Sequence, residues 1–564
     1  MTNDVSVSRR IGAALFSRYW HTLRHLKPVQ FYGRAWFRLN RPSPDLAPAP
    51  GLRHMSGRWV QPASKSQSLL GSTTFSFLSK TRILAKPIDW DDPSADKLWR
   101  YNLHYFDDLN GVNAAARDAW HKDLMRRWVR ENPPAQGVGW EPYPTSLRIV
   151  NWIKWSLAGN ELPGICTHSL AVQARWLASR LEIHLLGNHL FANAKALTFA
   201  GLFFDGDEAS RWLEKGLRIL EREVAEQILT DGGQFELSPM YHALALEDML
   251  DLCNVAAVYP SALPKRSVLP VADWPEVVRR MRHWLKAMCH PDGEISFFND
   301  AAIGIAPSLE ELERYAGRLG FEPCQMHVNA VIHLASSGYI RFQQDPMIVL
   351  LDVAPVGPDY LPAHAHADTL SFELSLFGQR VIVNSGTSCY GDDEERLWQR
   401  GTAAHSTILI NHENSSDVWG GFRVGQRARP YISAIDRSNS TIRVEAYHDG
   451  YKRLPGGNIH QRCWVLDENR LSIEDTIRGS FHEAEARFYL HPSIKTKGKP
   501  DRPNELVLQL PQGQNVWLTI EGGTLSQEPS IWHPTFGRNE PSSCLVVRMH
   551  NTILVTNILC DRIA

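Results

Sequence analysis

The pattern of apolar and polar positions changes once along the chain. From about residue 95 to 325, apolar residues recur at helical spacing, which predicts helices near 112–131, 144–158, 167–186, 188–204, 208–229, 239–258, 274–289 and 307–319. Turn formers separate these segments, among them Pro133-Pro134, Pro163-Gly164, Asp231-Gly232-Gly233 and Pro291-Asp292-Gly293. Helices joined this regularly predict stacked hairpins, either a solenoid or a toroid, although no sequence repeat is evident. After Gly338 the period becomes two, in short runs such as MIVLLDVA, TLSFELSLF, TIRVEAY, RCWVLD, VWLTIEG and CLVVRM. Such runs predict antiparallel strands stacked as a sandwich, with almost no room for helices. The expected fold class is α+β and multidomain: a basic N-terminal arm and linker over 1–94, helical hairpins over 95–330 and an antiparallel β-sandwich over 331–564.

Composition narrows the function more than the fold. Sixty Lys+Arg stand against 61 Asp+Glu, a net charge of -1, which excludes a histone-like or acidic solvating protein and gives no sign of a nucleic-acid partner. No apolar run approaches the roughly eighteen residues of a spanning helix. The eight cysteines are scattered without a CxxC pair, which suits free thiols, and no secretory signal is visible at the N-terminus. Together these predict a cytoplasmic protein. Residues 1–60 hold ten Arg/Lys and two acidic residues, with an apolar helical stripe of Ile11, Leu15 and Tyr19. A basic helix docked on the body is expected, the alternative being contact with an anionic polymer or membrane surface. Nineteen Trp need either large cores or flat apolar faces for a ligand such as a sugar.

Four segments carry candidate chemistry. In LEIHLLGNHLFANAK, Asn188 and His189 open an apolar helical run with His184 one turn earlier; the plainer reading makes Asn188 a helix cap and His189 a surface or core residue. In DGGQFELSPMYH, Ser238-Pro239 is a helix start that puts Tyr241 in the first turn, where the helix dipole eases a phenolate; the alternative is a packed aromatic. In PAHAHAD, just before a strand, His364, His366 and Asp368 would share one face if the strand extends back through them. They would then need a metal, a substrate anion or a structural polar network to satisfy them. A metallo-hydrolase HxHxDH pattern fails at Thr369. The fourth segment runs from Asn384-Ser-Gly-Thr-Ser-Cys-Tyr390 to RGTAAHST with His405; His366 and His405 plus an oxygen donor would make a reasonable metal site.

The order GNHLxxN, DGGxFExSPMYH, AHAHAD, NSGTxxY and RGTAAHST, over roughly residues 95–495, resembles the heparinase II/III-like polysaccharide lyases, a superfamily with heparinases II and III and several alginate lyases. The resemblance implies an incomplete (α/α) toroid followed by an antiparallel β-sandwich, with a uronate-binding cleft between them. Position by position it implies Asn188 and His189 as carboxylate-neutralising residues, Tyr241 as the catalytic Tyr and His364 as a catalytic or positioning His. Glu236, His242 and Tyr390 are assigned to the substrate. Its metal ligands, usually zinc, fall on His366, His405 and Asn384, where the family has Asp; an amide is a poorer ligand, so either a loosely held structural zinc or a metal-free hydrogen-bonded cluster is expected, and no organic cofactor. The implied activity is β-elimination on an anionic, uronic-acid-containing glycan, capsular, exopolysaccharide or glycosaminoglycan-like. The alternative is an inactive glycan-binding or exopolysaccharide-assembly protein of the same fold. Many relatives act outside the cytoplasm, which makes the periplasm the alternative location.

Overall fold

The computed structural model describes residues 15–263, 270–326, 331–438 and 440–560. The arm forms two helices, α1 (15–23) and α2 (Pro28–Leu39), the second opening on a proline at its first turn. Both dock on the body: Arg18 pairs with Asp417 at 2.8 Å, Lys27 pairs with Glu226, and Gly33 lies against His184 so closely that a Cβ there would sit 2.9 Å from the His184 Cβ. Ile11 of the expected stripe lies outside the described residues. The linker has structure of its own, a three-stranded antiparallel sheet of β1 (Leu69–Gly71), β2 (Thr74–Phe77) and β3 (Lys80–Ile83).

The helical region runs α3 (Lys97–Tyr105), α4 (Asp118–Glu131), α5 (Pro142–Leu157), α6 (Gly164–Ser179), α7 (Gly187–Phe203), α8 (Asp207–Gln227), α9 (Pro239–Val258), α10 (Trp274–Ala287) and α11 (Leu309–Arg318). Helix α7 is the centre and packs against α5, α6, α8 and α9. Its sequence is apolar almost all round, as burial on every side requires. Only Asn188 and His189 of its residues are not buried. Helix α8 comes close to α7 because it offers Gly216, whose added Cβ would stand 2.5 Å from the Thr198 Oγ1. Two expectations fail locally. The helix predicted over 167–186 ends at Ser179, because Asn193 of α7 takes the Glu182 N–H with its side-chain oxygen and Leu186 turns at φ 62° to start α7. The segment 107–117 is short 3-10 turns, and α3 carries the apolar residues before it.

The C-terminal region is two antiparallel sheets. One runs Gly523–Trp532, Glu540–Met549, Ala484–Leu490, Gln379–Val383, Phe372–Leu376, Met347–Asp352, Tyr339–Gln344 and Val331–Leu334, with Ile408–Ile410 added on Ala484–Leu490. The other orders Pro430–Ser438, Thr441–His448, Ile459–Asp467, Arg470–Arg478, Ile553–Cys560, Asn515–Glu521, Arg502–Gln509 and Lys495–Lys499. Alternate residues of both enter one core, with Val349, Phe372 and Leu374 from the first and Trp464, Ile473 and Leu518 from the second. A helix the period-two pattern did not predict, α12 (Glu394–Arg400), is capped by the Asp393 side chain accepting from the Arg396 N–H. No helix among the described residues is long and apolar enough to cross a membrane.

Candidate active site

The site forms where the start of α7, the start of α9 and the loop before strand Phe372–Leu376 meet. Residues 361–371 are not a strand, contrary to the alternation read from AHAHAD, so His364, His366 and Asp368 are gathered by a loop and not by pleating. Arg400 of α12 holds that loop with Nε and Nη2 on the Ala365 carbonyl at 3.1 and 2.9 Å, and the Ala367 N–H donates to the Arg400 carbonyl at 2.9 Å.

Beneath the loop lies Asp300, which the sequence reading missed. It is fully buried and accepts from His364 Nδ1 at 2.9 Å, from His366 Nε2 at 2.8 Å and from Arg396 Nη2 at 2.8 Å, with Arg396 Nη1 on its other oxygen. Burial pushes its carboxyl up, but the Arg396 guanidinium and the two imidazole bonds outweigh it and hold Asp300 well below the usual carboxylate range. An ionised Asp300 fixes the tautomer of His364: Nδ1 carries the proton, leaving Nε2 with a lone pair. That Nε2 lies 3.5 Å from Glu236 Oε2. Glu236 is 2 % exposed, and burial raises its carboxyl above the ordinary range. It stands at the Nε2 edge of His364, within the buried wall of the site.

Tyr241 stacks on His364, ring centroids 3.9 Å apart, and its hydroxyl is 3.0 Å from that of Tyr390. Ser238 caps α9 by accepting from the Tyr241 N–H at 3.2 Å, which fixes where the ring leaves the helix. Burial, first of all, raises both phenols well above their ordinary value. Both therefore carry their protons near neutrality, against the eased phenolate expected from the helix terminus: burial outweighs the dipole. Tyr390 also lies over the Arg396 guanidinium, 4.9 Å from its centroid, and edge-on to Phe422.

On α7, the half-exposed Asn188 makes no side-chain hydrogen bond, so it is not the helix cap of the plainer reading. Helix α7 instead starts through Leu186 and Gly187, both at positive φ, and a Cβ on Gly187 would lie 2.4 Å from Leu361. His189 Nδ1 is 3.1 Å from Glu182 and its ring lies on Tyr143. Burial opposes its charge, but Glu182 wins and raises its pKa above the ordinary value. His242 does not join this group. It is fully buried, accepts from the Gln234 N–H at Nδ1, donates from Nε2 to the Met281 carbonyl at 2.9 Å, and packs on Trp284. Its role is to hold the turn before α9.

Among the described residues, the His, Cys, Asp and Glu side chains that could together hold a metal are His366, His405 and Asp368, whose ligand atoms lie within 4.8 Å of one another. Asn384 is engaged with the main chain: its side-chain oxygen accepts from the Ser406 N–H at 2.9 Å and its amide donates to the Phe297 carbonyl at 3.0 Å. His405 Nδ1 donates to the Gly401 carbonyl at 2.7 Å and His366 Nε2 donates to Asp300, which leaves two bare nitrogens facing each other at 3.1 Å. Burial lowers the pKa of both, that of His366 to about 4, so a shared proton is a poor remedy. Two imidazole lone pairs beside a carboxylate fit a divalent cation such as zinc.

Asp300 and Arg396 escaped the sequence reading because each works through a partner distant in the chain, the acidic end of SFFND after a turn being the one local signal; Glu182, seven residues before its partner His189, lay inside a segment already singled out.

A helical domain joined to a two-sheet sandwich, with Tyr, His and Asn side chains meeting at the junction, is the architecture of polysaccharide lyases of the toroid type. Two family models match the chain, Heparinase II/III N-terminus over residues 38–316 and Heparinase II/III-like, C-terminal over 326–559. The chain belongs to the heparinase II/III-like superfamily. Among relatives, the heparin-sulfate lyase of Bacteroides stercoris is 27 % identical over 383 residues, 62 % of this chain and 53 % of that protein, so the match spans about half of the relative's length. FtsZ-localized protein C of Caulobacter vibrioides is 23 % identical over 507 residues, 84 % of this chain and 83 % of that protein. The crystal structure of heparinase III superposes with a TM-score of 0.67 at 18 % identity, covering 84 % of this chain and 79 % of that one.

Proposed function

We propose that the protein is a polysaccharide lyase that cleaves a uronic-acid-containing glycan by β-elimination. The observation that carries this reading is the meeting of an Asp300-oriented His364 with a protonated Tyr241, beside the two accessible residues of an otherwise buried helix, Asn188 and His189. Removing the C5 proton of a uronide is opposed by the neighbouring carboxylate, whose charge would make the carbanion a dianion. Asn188, as a neutral donor, and His189, as a cation supported by Glu182, neutralise that carboxylate and let enolate charge develop against fixed donors. His364 Nε2 is the base for C5, its imidazolium stabilised by Asp300 as it forms. Tyr241 carries the proton for the departing O4, and Tyr390 orients its hydroxyl. The balance is complete without a nucleophile: the C5–H and C4–O bonds break, a C4–C5 double bond forms, and the leaving oxygen gains a proton.

We further propose that His366, His405 and Asp368 hold a zinc ion with a structural role. Bound there, it would supply positive charge that pins His366, and through Asp300 the loop carrying His364, without meeting substrate. The relatives named as heparin-sulfate lyases support a lyase over a binding protein, and so does the presence of both an acid and a base. The test is a panel of uronate polysaccharides followed by the ultraviolet absorbance of the unsaturated uronide. The expected result is absorbance growth on at least one polymer, cut about a hundredfold or more by Tyr241→Phe. No absorbance on any uronate polymer, or Tyr241→Phe at wild-type rate, overturns the reading.

A further inference from the structure

A second site lies between α1 and the sandwich, and none of its lining residues belongs to the candidate active site. A cavity of about 490 Å³ opens there. Five cations border it, Arg24 just after α1 with Arg427, Arg429, Lys452 and Arg453, against two carboxylates, Asp359 and Asp449. Both carboxylates are engaged: Asp359 pairs with Arg427 Nη1, and Asp449 accepts from the Arg429 backbone N–H. The side chains of Arg429 and Lys452, exposed at the rim, have no ion partner among the described residues. The decisive group is Arg427. Its side chain is only 8 % exposed, yet among the described residues Nε and Nη2 make no hydrogen bond, and the Nδ1 of His21, in the same cavity, is also unsatisfied. Buried N–H groups of a guanidinium are costly to leave idle, and Nε with Nη2 is the edge that grips two oxygens of an oxyanion side-on.

We propose that this cavity binds a phosphate-bearing ligand, with Arg427 holding two phosphate oxygens through Nε and Nη2 and with Arg24, Arg429 and Lys452 supplying the surrounding positive charge. A phosphate suits the excess of cations over carboxylates better than a single carboxylate does. It has two sources, a soluble phosphate compound or the headgroup of an anionic phospholipid. The second is worth separating because α1, which forms one wall, turns Phe16 and Trp20 outward at 74 and 57 % exposure.

The experiment is calorimetric titration of the full chain with inorganic pyrophosphate, alongside co-sedimentation with vesicles of phosphatidylglycerol or of phosphatidylcholine. Saturable one-site binding of pyrophosphate, weakened at least tenfold in Arg427→Gln, is expected. Because Arg427 is buried, an Arg429→Gln/Lys452→Gln double variant at the exposed rim accompanies it, expected to weaken binding several-fold with an unchanged unfolding temperature. Sedimentation with phosphatidylglycerol alone, lost in the same variants, assigns the phosphate to a headgroup; pyrophosphate binding without vesicle retention assigns it to a soluble compound. The proposal is overturned if neither ligand binds, if the variants bind like wild type, or if a uronate oligosaccharide occupies the cavity and phosphate does not.

Discussion

Asn188 and His189 stand side by side on α7 but do different work. Asn188 caps nothing, so Asn188→Ala is expected to leave the unfolding temperature within a degree or two while lowering turnover on a uronate polymer tenfold or more. A stability loss of about 1 kcal/mol with intact turnover would return it to a capping role. In the proposed reaction His189 serves as a cation, and its pKa is raised because Glu182 outweighs burial. Its contribution is full below that raised pKa and is lost as pH rises through it. Glu182→Gln removes the supporting charge, so the alkaline limb of the pH–rate profile is expected to move to lower pH; an unmoved limb would show that His189 is not the titrating group. At this scale the sequence was informative where chemistry is local: Gly187-Asn188-His189 and Ser238-Pro239 mark helix starts that face the site. Asp300 was invisible because its partners His364, His366 and Arg396 lie 64 to 96 residues away.

Among the elements, the loop 361–371 departs most from its sequence pattern. Alternating His and Ala looked like pleating, but the chain is held instead by Arg400 on Ala365 and by Asn299, which accepts from the His366 N–H while its own N–H reaches Asp368. That tertiary grip turns His366, His405 and Asp368 toward each other, and the proposed zinc site takes Asp368, not Asn384, as its third ligand. Zinc measured after purification without chelator is therefore expected to fall strongly in Asp368→Asn and His405→Ala, and to stay unchanged in Asn384→Asp. A rise in Asn384→Asp with no loss in Asp368→Asn would restore the position implied by resemblance. Most helices from α5 onward were legible to within a few residues because apolar spacing decides burial, although the one over 167–186 overran its end at Ser179 and α3 was missed; α12 was missed too, since its short run is packed by the buried Arg396, Gln399 and Arg400, polar residues that leave no apolar stripe.

The whole molecule is held at its domain junction by buried polar groups that must stay neutral or paired. His242, at the base of α9, has its pKa lowered to about 4 by burial. The unfolded chain then takes up the proton first, so stability present above pH 6.5 is lost as pH falls toward 4, by about 3 kcal/mol for a group shifted this far. Unfolding temperature should fall over that window, and less steeply in His242→Gln; equal slopes would assign the acid sensitivity elsewhere. The two-domain order was readable from the single change of hydrophobic period. The junction was not, because it is written in contacts between the two halves, such as Asp300 with Arg396. The central claim, elimination at that junction, is tested most directly by digesting a uronate polymer in water labelled with heavy oxygen and weighing the products. Elimination predicts an unsaturated end and no label in either fragment, with Tyr241→Phe giving almost no product. Label at the new ends, with saturated sugars on both sides of the cut, would mean hydrolysis and contradict the account.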